Sequence, residues 1–264
     1  MKRYLIQLAY KGTNFNGWQR QKSDKAITVQ GSLEHALSMV LREKITVTGA
    51  GRTDSGVHAS FFVAHFDTTR DLNTQELTKK MNAIVNKDIV VHKIINTPED
   101  FHARFSAISR TYTYHIHLRP NPFIKDFSHY IYWQPDVKLM QQATDQLFEY
   151  EDFKAFSKAH SGTNHYLVKL YSAHWKQEND KLIFTIKANR FLRNMVRAIV
   201  GTMLEISRGK LSLDDMHRLI RARNRRLSSF TAPACGLFLS DIEYPEEINK
   251  LLDKKIKYFW DEHL

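Results

Sequence analysis

A glycine-rich segment in the first half of the chain places a carboxylate two residues after a guanidinium. Residues 49–59 read GAGRTDSGVHA, so Arg52 and Asp54 lie between glycines that permit tight turns and close backbone approach. Aspartate side chains have an unperturbed pKa of about 3.9, so this residue type is ordinarily a carboxylate at neutral pH. Both side chains are therefore candidates to face a cleft. The same residue types are also typical of a surface Asx turn, which composition alone favours.

Other motifs that would indicate a reaction are missing from the sequence. There is no GxxxxGK(S/T) and no GxGxxG, so the phosphate-cradling loops of nucleotide-binding proteins are excluded, and there is no HExxH. His115 and His117 lie two apart on one predicted strand face, but no cysteine and no suitably spaced acid accompanies them. We therefore interpret them as half-exposed strand histidines and predict no metal site.

The cysteine content and the hydrophobic runs bear on the compartment. A single cysteine, Cys235, excludes an intramolecular disulfide framework and a cysteine-rich zinc site. No apolar run approaches the ~18 residues that a membrane span needs. The N-terminal residues MKRYLIQLAYKG lack the long apolar core and the cleavage site of a signal peptide. We therefore expect a cytoplasmic protein without a membrane span.

The charge of the chain favours a polyanionic partner. The 264 residues include 39 Lys and Arg against 28 Asp and Glu, a formal charge of +11, and such an excess makes nucleic acid the leading candidate. Residues 190–226 hold ten basic and three acidic residues, a net +7. Because guanidinium groups match phosphate oxygens, arginines on adjacent helical turns suggest phosphate contacts. The arginines of this window are Arg190, Arg193, Arg197, Arg208, Arg218, Arg221, Arg223, Arg225 and Arg226.

Hydrophobic periodicity predicts the order βαββαβ in the first half. The helices are expected to begin after the N-cap residues Thr28 and Asn73, each followed by apolar residues at helical spacing. This order is that of a ferredoxin-like unit. The predicted strands are Lys2–Tyr10, Ile45–Gly49, Phe61–Phe66 and Ile89–Ile95.

The second half repeats this order in an enlarged form. Its predicted helices follow Asp136, cover Leu192–Ser207, follow a capping box of Ser212 and Asp215, and cover Glu246–Glu262. We therefore predict an α+β fold of two ferredoxin-like βαββαβ units with mixed, mostly antiparallel sheets, an N-terminal domain at 1–105 and a C-terminal domain at 106–264. The predicted strands are Arg110–His117, Val168–Lys176, Leu182–Ala188 and Leu237–Tyr244.

Seven sequence blocks together carry a family resemblance. GRTDSGVHA at residues 51–59 closely resembles the catalytic loop of the TruA family, the tRNA pseudouridine synthase A enzymes. The other blocks resemble further segments of that family and occur in the family's order from residue 15 to residue 237, which makes the joint match highly specific. They are 15–19 (FNGWQ), 28–34 (TVQGSLE), 101–107 (FHARFSA), 110–114 (RTYTY), 191–201 (FLRNMVRAIVG) and 232–237 (APACGL).

The resemblance implies a fold with a central cleft and an enzyme that isomerises uridine to pseudouridine. The expected substrate is the anticodon stem-loop of tRNA at positions 38–40, and the expected assembly is a homodimer. Such enzymes break the N1–C1′ bond, turn the base and rejoin it through C5, so no cofactor, metal or ATP is expected. Asp54 falls on the essential aspartate, and a carboxylate can stabilise or capture an electron-poor C1′. Whether it attacks C1′, attacks C6 or assists C2′ deprotonation stays open.

The resemblance also implies roles for five further residues. Tyr112 is expected to pack on the target uracil and is a candidate catalytic base, and Arg197 is expected to pair with Asp54 and hold it ionised and oriented. Arg52 is expected near the flipped nucleotide, where a side chain that fills the vacated stack offsets part of the few kcal/mol that flipping costs. Leu237 is expected to form an apolar wall under the base, and Arg193 to contact the RNA. Without the resemblance, Tyr112 would be interpreted as a core strand aromatic and Arg197 as a helix-surface arginine.

Two alternatives stay open at this point. Ferredoxin-like units also occur in RNA-binding RRM modules, whose third strand carries stacking aromatics, and Phe61–Phe66 occupies that position. In that case RNA binding would not depend on Asp54. The second alternative is an enzyme of the same fold and chemistry with a different target uridine, selected by the basic helices and by loops such as Phe153–His165.

Overall fold

The computed structural model of the chain describes residues 1–21, 23, 25–158, 162, 164–224, 230–254 and 256. These residues form an α+β fold with two compact units. Unit 1 comprises the described residues of Met1–Ser109 and of Leu239–Leu264, and unit 2 comprises the described residues of Arg110–Phe238. The segment from Leu239 onward thus groups with unit 1, whereas the sequence-based boundary assigns it to the C-terminal domain. A single boundary cannot divide a chain that returns to its first sheet.

Unit 1 is built on a sheet with the predicted ferredoxin-like order. Strand β1 (Lys2–Tyr10) lies between β3 (His58–Thr68) and β4 (Ile89–Thr97) and is antiparallel to both. The short β2 (Thr48–Gly49) pairs with β3 in antiparallel fashion. Strand β9 (Leu237–Glu243), most of which belongs to this unit, also lies next to β3. The order β4-β1-β3-β2 is the one that two helical crossovers produce in a ferredoxin-like unit.

The helices of unit 1 begin at the predicted caps. Helix α1 (Val29–Leu41) starts where the Thr28 side chain accepts a hydrogen bond from the Gly31 N–H at 3.1 Å. Helix α2 (Thr74–Ile84) starts where the Asn73 side chain accepts from the Glu76 N–H at 3.1 Å. Each cap satisfies a main-chain donor that a helix N-terminus would otherwise leave unpaired.

The predicted strand Ile45–Gly49 is shorter in the structure, where only Thr48–Gly49 pairs. Ile45 and Val47 bond to side chains of α1 instead. The Ile45 N–H donates to Ser38 Oγ at 3.0 Å, and the Val47 N–H donates to Glu34 Oε1 at 3.0 Å. Because these main-chain groups already have partners, strand pairing is not needed to satisfy them.

The phenylalanines of β3 are core residues. Phe62 and Phe66 are almost completely buried, and Phe66 stacks on Tyr4 with ring centroids 5.6 Å apart. Phe61 is also buried. A stacking platform for RNA bases requires exposed aromatic faces, so β3 does not provide the platform that the RRM alternative needs.

The sheet of unit 2 has β8 (Lys181–Ala188) at its centre. β8 is antiparallel to both β5 (Ser109–His117) and β7 (Leu170–Glu178). The short β6 (His129–Tyr130) runs parallel to the end of β5. The two long neighbours of β8 agree with the predicted strands to within two residues at each end.

Three α-helices lie in the described part of unit 2, and their starts follow local signals. Helix α3 (Val137–Gln146) begins at Asp136, and α5 (Leu213–Arg221) begins at a capping box in which Ser212 and Asp215 bond to each other's backbone. Helix α4 (Met195–Ser207) starts three residues later than predicted. Asn194 has φ 68°, in the left-handed region, so the helix cannot extend through it.

The C-terminal helix differs most from its prediction. Helix α6 spans only Glu246–Asn249, whereas the sequence predicts Glu246–Glu262, of which residues 255 and 257–262 lie outside the described residues. The chain leaves the helix because it bonds to β1 instead. The Asp253 N–H donates to Gln7 Oε1 at 2.8 Å, and Gln7 Nε2 donates to the Asp253 carbonyl at 2.6 Å. None of the helices in the described part of the chain has the length and apolar character needed to cross a membrane.

Candidate active site

The loop that carries Asp54, residues 50–57, connects β2 to β3 and is closed by main-chain hydrogen bonds. The Ala50 N–H donates to the Val63 carbonyl at 2.8 Å, and the Val57 N–H donates to the Asp54 carbonyl at 3.2 Å. Gly56 has φ 78°, a conformation that favours glycine, and its N–H donates to the Phe15 carbonyl at 3.2 Å. The Asp54 loop is thus a turn attached to the chain around residue 15.

Two glycines let this attachment become close. Gly17 has φ 86°, and a Cβ there would lie 2.5 Å from the Thr53 carbonyl oxygen. The next residue, Trp18, donates its N–H to that same oxygen at 3.2 Å. Its indole covers Gly49, where a Cβ would lie 2.4 Å from the ring, and stacks on Phe62 with centroids 4.1 Å apart. The chain at residues 15–19 (FNGWQ) therefore packs closely against residues 49–56 (GAGRTDSG).

Burial alternates along the loop and directs its charged side chains outward. Thr53 is buried, and its hydroxyl forms a hydrogen bond with the Tyr10 hydroxyl at 2.9 Å. The neighbours on either side differ, since Arg52 is exposed and Asp54 is half-buried. The Arg52 side chain is held at its Nε, which donates to Gln19 Oε1 at 3.1 Å. Thr53 therefore anchors the turn and leaves the carboxylate and the guanidinium towards its surface.

Tyr112 and Tyr114 on β5 have different environments. Tyr114 is fully buried and donates its hydroxyl to the Pro233 carbonyl at 2.9 Å, and burial raises its pKa well above 10. Tyr112 is only half-buried, and its ring meets that of Phe191 edge-on with centroids 4.9 Å apart. Of the two, Tyr112 is the tyrosine with surface available to a substrate.

Arg197 joins α4 to the segment that precedes β9. Its Nε donates to the Ala232 carbonyl at 2.7 Å, and its own carbonyl accepts from the Ala232 N–H at 3.0 Å. One turn later, Gly201 packs on Phe230, whose carbonyl oxygen would lie 2.4 Å from a Cβ at residue 201. The half-buried guanidinium is thereby fixed on its Nε side.

Gly236 and Leu237 lie at the end of the same segment, where β9 begins. Leu237 is buried at the start of β9. Gly236 has no room for a side chain, because a Cβ would lie 2.7 Å from the His115 carbonyl oxygen. Cys235 Sγ lies 3.8 Å from the Ser128 carbonyl, and burial raises the pKa of this thiol. A protonated, packed thiol is a poor nucleophile, so Cys235 is a packing residue of this segment.

The predicted site residues therefore fall in both units. Unit 1 carries Arg52 and Asp54 on one loop, and unit 2 carries Tyr112, Arg197 and Leu237 with Arg193 exposed just before α4.

The two strand histidines bond to neighbouring hydroxyl groups. His117 Nδ1 lies 3.0 Å from Ser128 Oγ, and His115 Nε2 lies 3.2 Å from Thr113 Oγ1. The two histidines differ in burial, since His117 is buried and His115 is half-buried. In the part of the chain that the structure describes, no three His, Cys, Asp or Glu side chains are grouped as metal ligands would be.

The basic window 190–226 is partly paired with acids. Arg218 pairs with Asp215 on α5, and Arg223 Nη2 lies 2.7 Å from Asp152 Oδ2. These arginines are exposed, and exposed ion pairs contribute little stability, so their guanidinium groups remain accessible to an anion. Residues 225 and 226 of this window, and residues 159–161 and 163 of the predicted specificity loop, lie outside the described residues.

Comparison with known proteins supplies the family. A family model described as tRNA pseudouridine synthase matches residues 7–106 and 147–245. A protein of Azobacteroides pseudotrichonymphae named tRNA pseudouridine synthase A is 46% identical over 250 residues, which cover 95% of this chain and all of that protein. The protein of the same name from Bacteroides fragilis is 45% identical over 94% of this chain and 98% of its own. That of Vibrio parahaemolyticus is 39% identical over 93% of each. The chain belongs to the tRNA pseudouridine synthase family.

Three residues of the blocks that carry the family resemblance were assigned no role in the sequence analysis of this tRNA pseudouridine synthase family member. Gln19, Gln30 and Glu34 form hydrogen bonds that end at Arg52. A signal for two of them was present, because Gln30 and Glu34 are polar residues four apart on the helix face that carries Val29 and Leu33. Polar side chains on a buried helix face require partners, which sequence spacing alone does not identify.

Proposed function

We propose that this chain converts uridine to pseudouridine in the anticodon stem-loop of tRNA, at positions 38–40, with Asp54 as the catalytic carboxylate. The observation that carries the proposal is the construction of the Asp54 loop. Two glycines, a buried threonine and main-chain hydrogen bonds hold a half-buried carboxylate at the surface of a rigid turn. The isomerisation of uridine uses no external reagent, so its rate depends on how well the enzyme positions the reacting groups. A carboxylate that is already held in place meets this requirement.

The proposed reaction is an isomerisation in which all atoms and electrons are retained. The N1–C1′ bond breaks, the uracil turns, and a C5–C1′ bond forms. The proton displaced from C5 leaves to solvent, and N1 gains a proton. Asp54 interacts with the electron-poor sugar or with the base during this sequence, in whichever of its three chemical roles applies.

The remaining site residues have supporting roles in the proposal. Tyr112 packs on the target uracil, Leu237 forms an apolar wall under it, and Arg197 pairs with Asp54. Arg52 contacts the flipped nucleotide, and Arg193 contacts the RNA backbone. The half-buried ring of Tyr112 and the anchored Nε of Arg197 support these assignments, because both leave one part of the side chain fixed and another part towards the surface.

The test of the reaction uses the proton that leaves C5. A tRNA transcript labelled with tritium at uridine C5 releases tritium to water as pseudouridine forms. We expect Asp54→Asn to fold normally by circular dichroism and to release no detectable tritium. Asp100→Asn is the matched control, because it removes the same charge from an exposed turn of the same unit and should keep wild-type activity. An Asp54→Asn protein with normal turnover would contradict the assignment of Asp54 as the catalytic carboxylate.

The position of the target uridine is tested with altered transcripts. A tRNA in which residues 38–40 are all cytidine should release no tritium above background. Release from that transcript would instead support the enzyme of the same fold with a different target.

The assembly and the compartment complete the proposal. We propose a homodimer, and light scattering at working concentration that gives the mass of one 30.9 kDa chain would contradict it. We also propose the cytoplasm, because one cysteine and no disulfide suit a reducing compartment.

A further inference from the structure

A line of polar side chains runs beneath Arg52 into the core of unit 1. Gln30 and Glu34 lie one turn apart on α1, and each is only 8% exposed. Gln30 Nε2 donates to Glu34 Oε1 at 3.0 Å. Gln19 Nε2 donates to Gln30 Oε1 at 3.1 Å, and Arg52 Nε donates to Gln19 Oε1 at 3.1 Å. A buried polar group without a hydrogen-bond partner costs free energy, so the loss of one of these hydrogen bonds affects the residues on both sides of it. The four side chains therefore form one connected hydrogen-bond network.

The direction of these hydrogen bonds is fixed by the two ends. A guanidinium group only donates, and a carboxylate that receives N–H groups only accepts. Each amide between them therefore has one orientation, with its oxygen towards Arg52 and its nitrogen towards Glu34. A reversed Gln19 would place its NH2 group against the Arg52 N–H, where two donors would face each other.

Main-chain contacts require the same orientation independently. Gln30 Oε1 also accepts from the Arg20 N–H at 2.8 Å, and Gln30 Nε2 also donates to the Val47 carbonyl at 3.0 Å. Glu34 Oε1 also accepts from the Val47 N–H at 3.0 Å. Gln30 thus uses both ends of its amide twice, and turning it over would break four hydrogen bonds. The buried half of the line cannot reverse.

We propose that Gln19 and Gln30 are positioning residues for Arg52, and that Glu34 is the fixed end of this relay. The relay is defined here as Arg52, Gln19, Gln30 and Glu34. An exposed arginine samples many rotamers, and ordering it on the RNA reduces the net gain from the contact. Holding Nε leaves the two terminal nitrogens directed towards a substrate and fixes the plane of the guanidinium. The catalytic consequence rests on the proposed function, in which Arg52 contacts the flipped nucleotide.

The first experiment replaces the link that is exposed. Gln19→Met keeps the length of the side chain and removes both hydrogen bonds, and folding is not at risk because residue 19 is exposed. We expect kcat for tritium release to fall about 10- to 100-fold, since misplacing a positioned group by about 1 Å can cost that much. Gln21→Met is the matched control. Gln21 is also exposed, and its Nε2 donates to the Asn16 carbonyl at 2.9 Å, outside the relay.

A double-mutant cycle separates positioning from a general structural effect. In an Arg52→Met background, Gln19→Met should have no further effect on kcat, because the residue through which it acts is gone. Equal fold-losses in both backgrounds, or an unchanged kcat for Gln19→Met alone, would overturn the proposal. Gln30→Leu should behave in the same way. Its control is Gln7→Leu, a buried glutamine of the same unit that bonds to residue 253 instead.

A measurement without RNA distinguishes failure of the relay from failure of the proposed function. The Arg52 Nε–H should give a slowly exchanging 15N-NMR signal in the wild type, and exchange should accelerate at least tenfold in Gln19→Met and Gln30→Leu. An Arg52 Nε–H that exchanges as fast in the wild type as in Gln19→Met means that the relay does not hold Arg52. A wild type that is inactive on tRNA but retains the protected signal contradicts the proposed function and leaves the positioning intact.

Discussion

Gly17→Ala is the substitution for which the structure allows the sharpest prediction. At φ 86° an alanine costs about 1–2 kcal/mol relative to glycine. The new Cβ would also lie 2.5 Å from the Thr53 carbonyl oxygen, 3.2 Å from the Asp54 carbonyl carbon and 3.3 Å from the Ser55 nitrogen. Overpacking of this kind costs about 1–3 kcal/mol. We therefore expect the free energy of unfolding of unit 1 to fall by about 2–5 kcal/mol.

Urea unfolding measures this loss. With an m value of about 2.5 kcal/mol/M, the expected destabilisation lowers the midpoint by about 1–2 M. The carbonyl of Thr53 must also move by about 0.5 Å, because real Cβ contacts under 3.0 Å essentially never occur. Since Asp54 is the next residue, we expect kcat for pseudouridine formation to fall about tenfold even where the protein is fully folded.

Two other glycines separate the contributions. Gly209 has φ 68° but nothing within 4 Å of a Cβ, so Gly209→Ala should show the conformational cost of about 1–2 kcal/mol without overpacking. Gly51 has neither a positive φ nor a neighbour within 4 Å, so Gly51→Ala should leave stability unchanged or raise it by up to about 1 kcal/mol.

The reasoning is refuted if Gly17→Ala unfolds at the wild-type urea concentration. It is also refuted if Gly17→Ala and Gly209→Ala lose the same free energy, because the close approach to Thr53 would then cost nothing. Hydrogen exchange gives a local check, since the Trp18 N–H donates to the Thr53 carbonyl and should exchange faster in Gly17→Ala alone.

Three further predictions follow from burial and charge. Burial holds the pKa of His65 at about 4 in the folded protein, so its contribution to stability is complete above pH 6.5 and about 3 kcal/mol is lost as the pH falls towards 4. In urea titrations across this range, His65→Gln should remove part of the pH dependence of the unfolding free energy but not all of it, because burial also lowers the pKa of His129 to about 4 and lowers the pKa values of His92, His102 and His117; an unchanged pH dependence contradicts this. Tyr114→Phe removes the hydrogen bond to the Pro233 carbonyl and should cost about 1 kcal/mol in urea unfolding while tritium release stays within twofold of wild type. Binding of tRNA should weaken steeply as the salt concentration rises. In filter-binding titrations, Arg193→Gln should reduce the magnitude of the negative slope of log K against log salt by about one. A binding constant that does not change with salt would mean that the positive charge serves only solubility.

The parts of the fold that depend on neighbours in the chain could be predicted from the sequence. Helix starts at Thr28 and Asn73 are caps in which a side chain reaches an N–H three residues on, and both are confirmed. The strand Lys2–Tyr10 is confirmed with its predicted bounds. Such features are determined within one turn or one strand, so local residue types suffice to indicate them.

The errors occurred where distant groups satisfy the main chain. Residues 45–47 do not form a strand, because the Ser38 and Glu34 side chains bond to the main-chain N–H groups of Ile45 and Val47. Helix α6 ends at Asn249 because the chain soon bonds to Gln7 on β1, more than two hundred residues earlier. Hydrophobic periodicity carries no information about such partners, since a main-chain N–H is satisfied equally by a ladder or by a side chain.

The sequence by itself determined the family and the candidate catalytic residue, because the GRTDSG loop and the blocks around it are specific enough to name Asp54 and the residues expected with it. Only the tertiary structure decided why the loop has its shape and how Arg52 is held. The clash that reserves residue 17 for glycine involves a carbonyl 36 positions away, and the relay joins three separate segments of unit 1. Contacts of this kind depend on where folding brings distant backbone and side-chain atoms within hydrogen-bonding range, and no spacing in the chain encodes that distance.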